Sequence, residues 1–280
     1  MKKGINTWCF AAGTSISEQF RLAQKAGFES IELAIEETGE ISLETGKKEA
    51  LEFARAAEKH ELEISSIAGG IYWKYNFTSP DARIRARAKS ILKRHIQIAS
   101  WMGVGAILVV PANVAEGIGG PPAIPYERAY RLALDTMKEF APPAEKHKVC
   151  IGVENVWAKI LQMPYEIRDF VDAVGSEFVK VYFDVGNCLL TGYPEHYIPV
   201  LGERIVRVHV KDFSCAVGNI NGFVPLLAGD VNFPAVTAEL KKIGYEGPLT
   251  VEVAPSRLYP MASLYQSSLA MDFILGNEIP

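Results

Sequence analysis

Apolar and polar positions along the chain switch between two rhythms. Short segments rich in β-branched and aromatic residues are KGINTWC, SIELAIE, LEISSIA, AILVVPA, CIGVENV, VKVYFDV, IVRVHVK and LTVEVA. Between them lie longer segments whose apolar residues recur three and four apart, among them ISEQFRLAQKAG, EALEFARAAEKH, RARAKSILKRHIQIASWMG, YERAYRLALDTMKEFAPPAEKHK and FPAVTAELKKIGY. The first rhythm predicts strands and the second helices, eight of each. Ser17 and Asp81 are expected to open helices, and Gly27, Gly103 and Gly244 to close them in a left-handed turn. GIGGPPAIPYE, from Gly117, reads as a long loop after the fourth strand.

Strands alternating with helices predict a parallel sheet. Weak internal similarity favours a closed one. AEKH precedes a strand twice, and KAGFESIEL and KIGYEGPLTVEV share a helix end, a Gly-aromatic-Glu turn and a strand carrying Glu. No G-x-G-x-x-G follows the first strand, where an open dinucleotide-binding sheet would need it. The expectation is an α/β fold, a single (βα)8 TIM barrel occupying residues 1–280 as one domain, since no linker rich in Pro, Gly and Ser divides the chain.

Composition narrows the function classes. With 49% hydrophobic residues in 280, the chain can bury a large core. Its 29 basic and 33 acidic residues are interspersed, so the net charge of -4 carries no basic block that could track a phosphate backbone, and nucleic acid is not expected as a partner. No apolar run approaches the ~20 residues that span a bilayer. MKKGINTWCF enters a strand without the apolar segment of a secretory signal, so the expected location is cytoplasmic. Cys9, Cys150, Cys188 and Cys215 form no CxxC pair, which suits a reducing compartment and predicts small apolar filler at each.

Against this background, four strand ends stand out. The last four strands carry Glu154 in GVENVW, Asp184 in YFDVGN, His209 in RVHVKDF and Glu252 in TVEVAP, one metal-ligand type each. Two-residue alternation turns each inward between apolar neighbours that face the helices. In a barrel these ends face one mouth, where barrel enzymes build their sites. Taken singly, each has a plainer explanation as a member of an ion pair. Together, three carboxylates in one apolar mouth repel each other unless a cation holds them. Three hard oxygens and one imidazole favour one divalent ion, Mn²⁺ first, with Mg²⁺, Co²⁺ or Zn²⁺ as alternatives.

GVENVW, FDVGN, RVHVKDF, the following GDVNFPAV and TVEV resemble the sugar phosphate isomerase/epimerase superfamily, the xylose isomerase-like TIM barrels, with the likeness running from AGFESIEL onward. The resemblance implies one divalent metal held by Glu154, Asp184, His209 and Glu252. It also implies epimerisation or isomerisation of a small-molecule ketose or ketose phosphate through a metal-stabilised enediolate, with Glu154 and Glu252 as the catalytic acid–base pair. Relatives acting on free ketoses carry histidine, arginine and glutamate where this chain has Asn187, Cys215 and Ile160. The DVGN and HVKD spellings look more like the L-ribulose-5-phosphate 3-epimerase branch. Alternatives on the same scaffold are a keto-inositol dehydratase-type lyase and a non-catalytic sugar-binding barrel, and self-association into a homo-oligomer is open. A multi-metal nuclease would need far more than five histidines.

Four further positions are expected at the substrate. Lys211, two residues past His209, could bind a substrate oxygen or phosphate, or pair with Asp212 or Glu252. Asn187 could bind substrate or shape the turn after Gly186. Asn6 and Trp8, inward on the first strand by alternation, could line the sugar, with Trp8 alternatively filling the barrel. Glu32 could support the ligands from behind or pair with Lys180 or Arg207 lower in the core. His60, His95, His147 and His196 are not expected to bind metal.

Overall fold

The computed structural model describes residues 1–118 and 120–277. Eight parallel strands close into a barrel: β1 (Lys2–Asn6), β2 (Ser30–Ala34), β3 (Glu63–Ala68), β4 (Ala106–Val109), β5 (Cys150–Glu154), β6 (Val179–Asp184), β7 (Ile205–Val210) and β10 (Pro248–Val251). Two short strands, β8 (Asp212–Phe213) and β9 (Phe223–Val224), form a separate antiparallel hairpin after β7. The helices are α1 (Ile16–Lys25), α2 (Lys47–Lys59), α3 (Ala82–Met102), α4 (Tyr126–His147), α5 (Pro164–Val174), α6 (Pro194–Leu201), α7 (Phe233–Lys242) and α8 (Pro260–Leu275). None of them, among the described residues, is long and apolar enough to cross a membrane.

Around the ring the order is β1-β10-β7-β6-β5-β4-β3-β2, so β5, β6, β7, β10, β1 and β2 are successive staves. Register places Gly4 of β1 opposite both Ser30 and Thr250, and Thr250 opposite His209. By contact compactness the chain falls into two units. Met1–Leu33, Ala54–Ser65 and Phe183–Pro280 make one, containing β1, β7, β8, β9 and β10; Ala34–Phe53 and Ser66–Tyr182 make the other, containing β4 and β5.

Two local expectations are corrected. The first strand ends at Asn6 rather than running through TWC, because the Asn6 side-chain oxygen accepts the Trp8 N–H at 2.6 Å and bends Thr7–Cys9 into a 3₁₀ turn. Trp8 is therefore off the strand and half-buried. The helix-opening residue of α1 is Ser15, which has an extended backbone and whose hydroxyl accepts the Glu18 N–H, while Ser17 lies inside the helix. Asp81 does open α3, and Gly27, Gly103 and Gly244 all have positive φ.

Candidate metal centre

Glu154 and Asp184 are the last residues of β5 and β6, His209 is the penultimate residue of β7, and Glu252 follows the last residue of β10. The strand ends are held level by backbone bonds: Val185 N–H donates to the His209 carbonyl at 3.2 Å and Glu252 N–H to the Val210 carbonyl at 3.1 Å. One donor atom from each of the four side chains lies within 4.8 Å of the others. Asp184 and His209 have no exposed side-chain surface and Glu154 is buried, whereas the Glu252 side chain retains 18% exposure.

Each group is braced. Asp184 Oδ1 accepts the Asn187 backbone N–H at 2.8 Å, and its Oδ2 lies 3.0 Å from the Lys211 ammonium. The same ammonium is 2.9 Å from Glu252 Oε1 and 5.5 Å from the centre of the Phe223 ring. His209 Nδ1 lies 2.7 Å from Glu252 Oε2 and 3.9 Å from Asp184 Oδ2, so this nitrogen faces the acids. Its other nitrogen, Nε2, is 2.5 Å from Glu32 Oε2. Burial pushes the Glu252 carboxyl up, but Lys211 and His209 more than reverse this and hold it at about 2, an ionised carboxylate at neutral pH.

The donor set fits a divalent ion. Three carboxylates and an imidazole converge in a largely dehydrated mouth, where like charges are costly, and Lys211 contributes a single positive charge to Asp184 and Glu252. Hard oxygen donors with one nitrogen match Mn²⁺, Mg²⁺, Co²⁺ or Zn²⁺ and leave coordination positions for a substrate.

Lys211 pairs with Glu252, one of its two anticipated partners, and with Asp184 rather than Asp212. The Asp212 carboxylate instead accepts backbone N–H groups from Phe213, Gly229 and Val231 at 2.9, 2.8 and 3.2 Å, tying the β8–β9 hairpin to the following loop. Asn187 is buried beside Asp184, and Asn6 is fully buried, its amide donating to Glu32 Oε2 at 2.5 Å. Of the lower partners considered for Glu32, Lys180 lies 2.9 Å from Glu177 and Arg207 donates to the carbonyls of Ser65 and Val206. His95 is a buried structural histidine between the Tyr72 hydroxyl and the Ile67 carbonyl, 3.1 Å from each.

Sequence reasoning missed Cys9. Its thiol donates to the Val251 carbonyl and accepts the Val253 N–H, both at 3.3 Å, so it clamps the backbone on either side of Glu252. Burial pushes this thiol up to about 12, which keeps the S–H as a donor. No signal in the chain links residues 242 apart. Cys215, expected as apolar filler, is exposed in the segment after β8; Cys150 and Cys188 are buried.

Comparison with known proteins agrees with the fold. The model for the xylose isomerase-like TIM barrel family matches residues 20–271. The chain belongs to that family. Among family relatives, L-ribulose-5-phosphate 3-epimerase UlaE of Shigella flexneri is 25% identical over 259 residues, covering 89% of this chain and 86% of its own length. The protein of the same name from Escherichia coli (strain SE11) matches with the same identity and coverage. Among solved structures, D-psicose 3-epimerase in the presence of D-fructose superposes with a TM-score of 0.82 at 17% identity, covering 99% of this chain and all of that one. The IOLI protein with a bound zinc atom gives 0.80 at 17% identity, covering 99% and 98%. At such identities the structural likeness is one of fold.

Proposed function

We propose that this xylose isomerase-like barrel is a divalent-metal-dependent epimerase or isomerase, and that its substrate is a ketose phosphate rather than a free ketose. The observation that carries the reading is the convergence of Glu154, Asp184, His209 and Glu252 within 4.8 Å. The phosphorylated substrate is favoured by the UlaE relatives, which match over most of both chains. The isomerase class is supported by the same relatives.

Glu154, Asp184, His209 and Glu252 would hold the ion, which when bound would polarise a substrate carbonyl and make the adjacent C–H more acidic. Glu154 ends β5 and Glu252 directly follows β10, strands separated in the ring by β6 and β7. Their carboxylates can therefore address opposite faces of a sugar carbon. One removes the proton from one face and the other returns a proton to the opposite face, inverting the centre. Lys211 stands where it can donate to a substrate oxygen, and it helps to keep Glu252 ionised. Trp8, half-buried at the head of β1, offers an apolar wall to the carbon backbone, and Asn187 shapes the floor beside Asp184.

The test is solvent exchange. Mn²⁺-loaded protein in D₂O is incubated with ketoses, ketose phosphates and keto-inositols, and the products are read by NMR. Deuterium at a single carbon of a ketose phosphate is the expected result, with exchange reduced at least about 10²-fold, the scale of a lost general acid or base, in Glu154→Gln and in Glu252→Gln. Elimination of water from a keto-inositol would instead identify a lyase, and no exchange with any compound would sink the proposal.

A further inference from the structure

Glu32 is a carboxylate with no solvent exposure, placed on β2, three staves from His209 in ring order. What the structure puts against Glu32 Oε2 is His209 Nε2 at 2.5 Å and Asn6 Nδ2 at 2.5 Å. The orientation of the Asn6 amide is not arbitrary, because its oxygen accepts the Trp8 backbone N–H at 2.6 Å, which leaves the NH₂ group facing Glu32. A chain of bonds thus runs from the backbone at the end of β1, through Asn6 and Glu32, to the imidazole.

Its direction fixes the proton. With Nδ1 turned to a cation, the imidazole's one hydrogen sits on Nε2, the nitrogen that faces Glu32 Oε2. The opposite nitrogen, Nδ1, is the one 2.7 Å from Glu252 Oε2, within the cluster. Turning the ring over would place carbon where each nitrogen now stands and break both contacts at once. We propose that Glu32 is a positioning residue that, braced by Asn6, locks the ring orientation and Nε2–H tautomer of His209 so that Nδ1 is presented to a divalent cation. The inference rests on the metal-dependent reading above and extends it to a residue that touches neither metal nor substrate. A histidine ligand whose second nitrogen donates to a carboxylate is both oriented and made more basic, and loss of such a partner lowers metal affinity by about 10–100-fold.

Three measurements test it. Titration calorimetry of the wild-type protein with MnCl₂ comes first; absence of binding would defeat the metal-dependent reading itself, whatever Glu32 does. In Zn²⁺-loaded protein labelled with ¹⁵N-histidine, the His209 spin system is expected to show a proton on Nε2 and the metal-shifted resonance on Nδ1. The reverse assignment would overturn the proposal without any variant being made. Glu32→Gln, which preserves shape and hydrogen-bonding reach, is expected to keep the wild-type unfolding midpoint in EDTA to within a few degrees, to raise the Mn²⁺ dissociation constant about 10–100-fold, and to move the Nε2–H resonance upfield. A dissociation constant within twofold of wild type in a folded Glu32→Gln protein would refute the role. Should that variant fail to fold, the wild-type nitrogen assignment decides.

Discussion

Gly186, between the candidate ligand Asp184 of β6 and Asn187, owes its identity to space and not to backbone freedom. Its φ of -74° suits any residue. A Cβ added there would lie 2.6 Å from the Lys211 Cβ and 3.2 Å from the Lys211 carbonyl carbon and oxygen, and a backbone held between two strands cannot retreat as a side-chain tip can. Gly186→Ala is therefore expected to force the ends of β6 and β7 apart, lowering stability by about 1–3 kcal/mol in urea denaturation and weakening Mn²⁺ binding in calorimetry. Wild-type affinity in that variant would show that the close approach does not hold Asp184 and Lys211 in place. Asp184 itself could be found in the chain, because an acid at the end of VKVYF interrupts an otherwise apolar run. The reason for the glycine two residues later could not, since the atom it must avoid belongs to Lys211, in the link between β7 and β8.

The first and last elements of the barrel depend on each other. Lys3 of β1, with a side chain 6% exposed, donates to Asp272 of α8 at 2.8 Å and to the Ser268 hydroxyl at 3.1 Å. Burial pushes the Asp272 carboxyl up, but hydrogen bonds from Lys3 and Asn277 leave it below its usual value. Replacing Asp272 by Asn leaves a buried ammonium without its charge partner and should cost about 2 kcal/mol at pH 7 by urea denaturation, discounted from a fully buried pair because Asp272 keeps 17% exposure. A folded-state pKa below the unfolded value of about 3.9 means that the carboxylate's share of stability is complete above that value and is lost as pH falls through the lower one. The gap between wild type and Asp272→Asn should accordingly narrow below about pH 4. A gap that stays constant down to pH 3 would assign the difference to packing. At this level the alternating rhythms marked out all eight barrel strands, but not where β1 stops or that DF and FV pair as a hairpin. Those outcomes depend on the Asn6 cap and on the three N–H groups gathered by Asp212.

For the protein as a whole, a cation that binds the folded chain and not the unfolded one must raise its stability by mass action. At a Mn²⁺ concentration about 100 times the dissociation constant, the gain is about 2.7 kcal/mol, which for a chain of this length raises the thermal midpoint by about 5 °C. Scanning calorimetry should show that rise, its reversal by EDTA, and its absence in the doubly substituted Glu154→Gln/Glu252→Gln protein. A midpoint indifferent to divalent ions would argue that Lys211 alone neutralises the mouth.

Local chemistry in the chain was enough to specify an eightfold alternation of strand and helix, an inward face on each strand, and polar residues on four of those faces where apolar ones would be expected. Those features repeat every two or every 3.6 residues, so they are written in short windows. Which atoms meet is a different kind of information. The bond between His209 and Glu32 joins residues 177 apart, and that between Cys9 and Val251 joins residues 242 apart. Both exist only because closing the ring sets β10 beside β1 and β1 beside β2, and hydrogen bonds discriminate between partners over a few tenths of an ångström, a precision that residue spacing does not carry.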